Sequence, residues 1–197
     1  MSKSSSPLLI VIGGPNGAGK TTAAMAVLPE ALSLVEFLNA DEIAKGLSPL
    51  NPSSVDIQAG RLLLERAHHF LEKGISFGFE STLAASTPVK LMKEAKGKGY
   101  QVVLLYFWLS SPQLSMERIR QRVRNGGHHI PDDVVLRRYE RSMDNLKQKY
   151  IPLADVWLVF DNSNDNPVLI AEGEQEANMI HVYNDSTWQQ LMKGAQT

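Results

Sequence analysis

The chain has 197 residues, of which 43% are apolar and 21% charged, and its formal net charge at pH 7 is −1. These are the proportions of one ordinary globular domain, long enough to bury about two thirds of its unfolded surface. The near-neutral balance argues against a protein that mainly grips a nucleic-acid backbone, and the lack of cysteine excludes a disulfide framework or a thiolate metal site.

The opening stretch, MSKSSSPLLIVIGG, holds an apolar run too short for a secretory core and passes straight into a glycine loop. Neither a signal peptide nor a membrane span is expected, and the default location is the cytoplasm. LLIVI (8–12) reads as a strand buried on both faces, because no polar residue interrupts it.

GGPNGAGKTT follows. Gly14 to Thr21 fits glycine, four residues, glycine, lysine and a hydroxyl residue. Glycines let the backbone fold tightly and turn its N–H groups inward, and those donors hold phosphates together with the positive end of the next helix. The expected cradle is Gly14, Pro15, Asn16, Gly17, Ala18, Gly19, Lys20, Thr21 and Thr22. Lys20 would reach the β- and γ-phosphates and the Thr21 hydroxyl would ligate Mg²⁺. The motif indicates a nucleoside triphosphate, without saying what becomes of the γ-phosphate.

VEFLNAD (35–41) and ISFGFEST (75–82) are weaker strand candidates that end in polar residues. Between them a helical pattern runs from Ser53 to Lys73, with Ser53 placed to cap against Asp56 and Gly74 as the stop. Further helices are expected over 88–96, over 112–125, and after Pro131, where Val135, Tyr139, Met143, Leu146 and Tyr150 share one stripe. VVLLYFWL (102–109) and VWLVF (156–160) complete the strands, with Tyr106, Trp108 and Trp157 as core residues. After Asn162 come two short strands around a polar turn and a closing helix near 186–193.

Alternating strands and helices predict an α/β fold: one domain over 1–197 with an open, mainly parallel sheet of about five strands. Helices cover both faces, and a small C-terminal β-hairpin and helix close the chain. Two histidine pairs, His68–His69 and His128–His129, are not ready metal sites, because neighbours on a helix face different ways.

Ligands of such sheets sit beyond the carboxyl ends of the strands. Asp41 and Glu80 fall there. Transfer of phosphate to a hydroxyl needs a carboxylate to orient the acceptor and take its proton. Asp41 fits that role or a helix cap before EIAKGL, with Glu42 a competing neighbour. Glu80 fits the metal shell, a contact to acceptor hydroxyls, or a strand end facing water.

Seven of the nine arginines, and none of the eleven lysines, lie in RIRQRVRNGGHHIPDDVVLRRYER, from Arg118 to Arg141. Arginine offers a planar, permanently charged fork that suits phosphate oxygens. The competing reading is a solvated helical face. A helix, a GGHHIP turn and a second helix have the layout of a mobile arginine-rich lid, about 112–150. Ile119 and Val123 mark the buried stripe of the first helix, with Arg118 and Arg122 on one flank and Arg120 and Arg124 on the other. Spacing does not choose between the flanks. Two or three of the seven are expected to touch phosphate, and the others to be solvated or paired with Glu117, Asp132, Asp133 or Glu140.

GGPNGAGKTT, FLNADEIA, FGFESTLA, GGHHIP, RRYERS and FDNS, in that order over roughly residues 8–163, resemble the zeta-toxin family of P-loop kinases, most closely its compact chromosomal members. The glycine loop is common to many NTPases; NADE, FEST and RRYERS together carry the resemblance. It implies ATP- and Mg²⁺-dependent phosphorylation of the aminosugar 3′-hydroxyl of UDP-N-acetylglucosamine. It implies Asp41 as acceptor base, Lys20 as phosphate clamp, and Arg118, Arg122 and Arg138 as catalytic cations. Glu80, Thr82 and Arg137 would lie at the acceptor, Glu80 and Thr21 at the metal, and Asn162 at the purine edge unless DNSNDNP is only a turn. A nucleoside, a nucleotide or another sugar are competing acceptors, and a nucleotide-gated binding module without kinase activity is the competing class. A protein inhibitor of the antitoxin kind stays open as a partner, with no such segment visible in the chain; nucleic acid and membrane are not expected partners.

Overall fold

The structure, a computed structural model, describes residues 6–31, 36–127, 129–164 and 166–193. Its centre is strand β1 (Leu8–Gly13), in which Leu9, Ile10, Val11 and Ile12 are wholly buried. It pairs in parallel with β3 (Phe77–Ser81) on one side and β4 (Gln101–Trp108) on the other. The short β2 (Phe37–Leu38) extends the sheet beyond β3, and β5 (Val156–Asp161) extends it beyond β4, both in parallel. These are the five parallel strands expected: β1, β4 and β5 from unbroken apolar runs, β2 and β3 from the two weaker candidates that end in polar residues.

The C-terminal hairpin, β6 (Val168–Glu174) and β7 (Met179–Val182), does not stand apart. It adds antiparallel to β5 and makes one seven-stranded sheet of order 2-3-1-4-5-6-7. Gly173 permits this: a Cβ there would lie 2.5 Å from the Trp157 ring. Trp188, on the closing helix (Asp185–Lys193), stacks on Trp157 with centroids 5.6 Å apart.

Helices cover the sheet: α1 (Lys20–Ala31), α2 (Ala40–Leu47), α3 (Asp56–Lys73), α4 (Thr87–Gly97), α5 (Pro112–Arg124), α6 (Asp132–Asn145) and the closing helix, α7. Ser53 does not cap α3. It sits in a 3-10 turn (Pro52–Val55), where its hydroxyl reaches Asn51 instead, because Pro52 starts a tighter turn first. The stop at Gly74 is left-handed, with φ 66°. After α6 the helix widens into a π-turn (Leu146–Tyr150), and the stripe Val135, Tyr139, Met143, Leu146 and Tyr150 is buried along its whole length.

α5 and α6 form a helical hairpin with its own small core of Ile119, Ile130 and Val135, flanked by Met116, Val123 and Val134. Its base is rooted in the body: Ser115 Oγ donates to the Asn16 carbonyl, and Tyr139 Oη to the Leu109 carbonyl. Gly126 and Gly127 lie at the far tip, where the Gly127 N–H closes α5 on the Arg122 carbonyl at 2.9 Å. The glycine pair is therefore the turn at the tip of the helical hairpin. His68 and His69 lie on the exposed side of α3, with His68 Nδ1 3.2 Å from Glu94 Oε2; His128 lies outside the described residues. No described helix is long and apolar enough to cross a membrane.

Candidate active site

Strand register sets the site. Ile12 stands beside Glu80 and Gly13 beside Ser81, so the glycine loop leaves β1 where β3 delivers its carboxylate. Gly14 has φ +144°, and a Cβ on it would lie 2.3 Å from the Phe107 carbonyl oxygen. Only glycine fits there. Gly17 has φ +77°, and a Cβ would press on Ser115 O and Arg118 Cβ, because α5 starts against the loop.

α1 begins at Lys20, so its positive end faces the loop. Lys20 is buried; its Nζ donates to the Pro15 carbonyl at 3.0 Å and stands 3.6 Å from Glu80 Oε1. Burial pushes its pKa down, and the nearby Glu80 and Asp41 carboxylates oppose that shift. Thr21 Oγ1 donates to Glu80 Oε2 at 2.6 Å.

The residue that caps α2 is Asn39, not Asp41. Asn39 Oδ1 accepts from the N–H groups of Asp41 at 2.8 Å and Glu42 at 3.3 Å. The Asp41 side chain is left exposed on the cleft wall, whereas Glu42 pairs with Lys45 at 2.6 Å. Asn39 Nδ2 turns the other way, to Glu80 Oε2 at 2.9 Å and Thr21 Oγ1 at 3.4 Å.

These groups line a cleft of about 1070 Å³. Asn16, Gly17, Gly19, Thr22 and Thr82 share its wall, while Gly14, Pro15 and Ala18 form the loop behind it. Past Thr82 the chain is held from α6 and the turn after it. Leu83 sits in the left-handed region (φ 59°), its carbonyl accepts from Asn145 Nδ2 at 2.8 Å, and the Ala85 carbonyl accepts from Tyr150 Oη at 2.9 Å.

The opposite wall is arginine. Arg118, Arg122, Arg137, Arg138 and Arg141 face the cleft. Arg120 turns outward and pairs with Asp132, and Arg124 is exposed away from the cleft. The docking of Ser115 on Asn16 fixes the rotation of α5, and that choice of flank is what spacing left open. Arg118 donates to the carbonyls of Asn162 at 2.8 Å and Ser163 at 3.0 Å. Asn162 in turn gives its amide N–H to the Ala18 carbonyl at 2.7 Å, so it braces the glycine loop from behind.

Sequence reasoning passed over Asn39 and Ser115. Asn39 carried a signal: asparagine two residues before Asp41 is a preferred helix cap. Ser115, inside a helix, carried none.

The sequence model of the zeta toxin family matches residues 1–175. An uncharacterized protein from Haemophilus influenzae is 36% identical over 126 residues, covering 64% of this chain and 88% of that protein. Among solved structures, a chain of the PezAT chromosomal toxin–antitoxin system of Streptococcus pneumoniae is 18% identical with a TM-score of 0.68, covering 98% of this chain and 81% of that one. A chain of the AvrRxo1-ORF1:-ORF2 complex with ATP is 19% identical with a TM-score of 0.74; it covers 97% of this chain, which spans only 65% of that one. A gluconokinase from Sinorhizobium meliloti 1021 is 19% identical with a TM-score of 0.51, covering 81% of this chain and 84% of that enzyme. At these identities the structural likenesses speak for the fold.

Proposed function

The chain belongs to the zeta toxin family of P-loop kinases, and from that premise we propose that it moves the γ-phosphoryl group of ATP to a hydroxyl of a small acceptor, a nucleotide sugar of the UDP-N-acetylglucosamine type. One observation carries the reading. A buried lysine on a glycine loop, a carboxylate at the start of α2 and a wall of cleft-facing arginines meet in a single cleft.

In this reading the backbone donors of residues 14–19 and the Lys20 ammonium hold the β- and γ-phosphates. Asp41, exposed on the cleft wall in the first turn of α2, takes the proton of the acceptor hydroxyl as its oxygen attacks phosphorus. Arg122 and Arg138 spread over the charge that moves toward the leaving oxygen, and Arg137 and Thr82 hold the acceptor. Arg118 and Asn162, already joined behind the loop, brace the nucleotide side.

The groups beside the phosphates fit a magnesium ion. Thr21 and Glu80 offer oxygen only, and Mg²⁺ takes one or two protein groups together with water and phosphate. Among the described residues no cluster of three or more His, Cys, Asp or Glu forms a dedicated cage. When bound, the ion would neutralise developing phosphate charge. The same reading carries an inhibitory protein partner, supported by the PezAT neighbour's toxin–antitoxin context.

Labelled ATP offered with a panel of nucleotide sugars, nucleosides and simple sugars tests the proposal. One acceptor should take label, and Asp41→Asn should still bind ATP with Mg²⁺ while losing roughly 10²–10⁴ in transfer. If no acceptor is labelled, or Asp41→Asn transfers as the parent does, a nucleotide-gated binding module becomes the better account.

A further inference from the structure

We propose that Asn39 is a positioning residue of this site, whose one amide holds the Asp41 end of α2 against the Thr21–Glu80 pair. The inference rests on the kinase reading above. It concerns how the acceptor half of the cleft is kept in register with the phosphate half.

Four elements meet at Asn39. β2 delivers it, α2 begins from it, and its side chain reaches the first turn of α1 and the end of β3. Oδ1 accepts two backbone N–H groups, from Asp41 and Glu42. The amide cannot be turned over, since its NH₂ would then face two donors. Nδ2 is thereby aimed at Glu80 Oε2, 2.9 Å away, and at Thr21 Oγ1. The side chain is buried, so water does not substitute readily for either end.

This position calls for an amide. Aspartate would keep the cap but place a second carboxylate within hydrogen-bond distance of Glu80. Serine would keep the cap but is too short to span to Glu80. Alanine would lose both ends. A residue needed only to cap α2 would tolerate aspartate and serine, which cap as well as asparagine does. A residue that joins the two halves would not.

The test compares Asn39→Asp, Asn39→Ser and Asn39→Ala in the full chain. A fluorescent ATP analogue with Mg²⁺ measures nucleotide affinity, and initial rates measure KM and kcat for the labelled acceptor. The expected result for Asn39→Ser is affinity and acceptor KM within about threefold of the parent and a kcat lower by about 10², the cost of an ångström-scale misplacement. Asn39→Asp should fall at least as far. A kcat within threefold of the parent in both capping variants, with only Asn39→Ala losing stability, would reduce Asn39 to a cap and overturn the proposal.

Hydrogen exchange decides the question without turnover. Loss of the bridge in Asn39→Ser should speed exchange in two separate segments, 39–44 and 79–82. Faster exchange in neither, or in 39–44 alone, overturns the proposal even if the parent protein transfers phosphate to nothing. Absence of transfer by the parent would sink the kinase reading instead.

Discussion

Thr21 Oγ1 and Glu80 Oε2 are 2.6 Å apart, and the same carboxylate stands 3.6 Å from the Lys20 ammonium through its other oxygen. Glu80 is thus the counterion of a buried lysine as well as the partner of the loop hydroxyl. Removing its charge leaves Lys20 without that partner where solvent barely reaches. Glu80→Gln is expected to lower the stability of the nucleotide-free protein by about 3 kcal/mol, the low end for breaking a buried pair. ATP should recover much of that loss, because phosphate oxygens replace the missing anion. Thermal unfolding with and without ATP measures both effects. An equal loss in both states would mean that Glu80 does not share Lys20 with the nucleotide.

The two flanks of α5 should separate in kinetics. Arg122 faces the cleft and Arg138 joins it from α6, whereas Arg120 and Arg124 do not. Arg122→Ala and Arg138→Ala are expected to cost roughly 10²–10³ in kcat. Arg120→Ala and Arg124→Ala should stay within about threefold. Lysine at 122 should not rescue the loss, since a point charge cannot replace a planar fork. Arg118→Ala should raise the KM for ATP more than it lowers kcat, because its guanidinium holds the Asn162 and Ser163 carbonyls.

That division shows where sequence stops being informative. The strands could be read because Leu9 to Ile12 are covered on both faces, and such burial leaves no polar residue in the run. Gly14 to Thr21 could be read because the motif is local. The facing of Arg118 and Arg122 could not be read from spacing, since it depends on a serine hydroxyl meeting a carbonyl 99 residues away, and only the family resemblance favoured them. The Asn39 cap is local and carried its signal, but its reach to Glu80, 41 residues away, could not be read for the same reason.

Alkaline stability follows from three of the four buried tyrosines. Burial pushes the Tyr106 and Tyr150 phenols well above their ordinary value of 10.0 and raises Tyr139 to about 12. With the folded pKa above the unfolded one, the unfolded chain loses these protons first. Their contribution is therefore complete below pH 10 and declines as pH rises through the folded values. For Tyr139 the decline runs between about pH 10 and 12, at about 1.4 kcal/mol per pH unit. Urea unfolding measured from neutral to strongly alkaline pH should show steady stability up to about 10 and a steep fall beyond. Phenolate absorbance that rises below pH 10 for any tyrosine other than Tyr183, the exposed one of the five, would contradict this.

Glycines offer a paired test of the loop. Gly14 has φ +144° and faces the Phe107 backbone oxygen, so an added methyl group would meet a carbonyl at 2.3 Å. Relief requires β1 and β4 to separate where Gly13 and Tyr106 are paired. Gly60 lies inside α3 with nothing within 4 Å of an added Cβ. Alanine there fits the helix and restricts the unfolded chain, so Gly60→Ala should stabilise by about 0.5–1 kcal/mol. Gly14→Ala should destabilise by more than about 2 kcal/mol, combining a left-handed backbone with a main-chain clash. It should also abolish ATP binding, because the amides that cradle phosphate are the ones displaced. Urea midpoints for both variants, with nucleotide titrations of each, check the pair. Normal ATP affinity in Gly14→Ala would mean that the loop binds phosphate in a geometry other than the one found here.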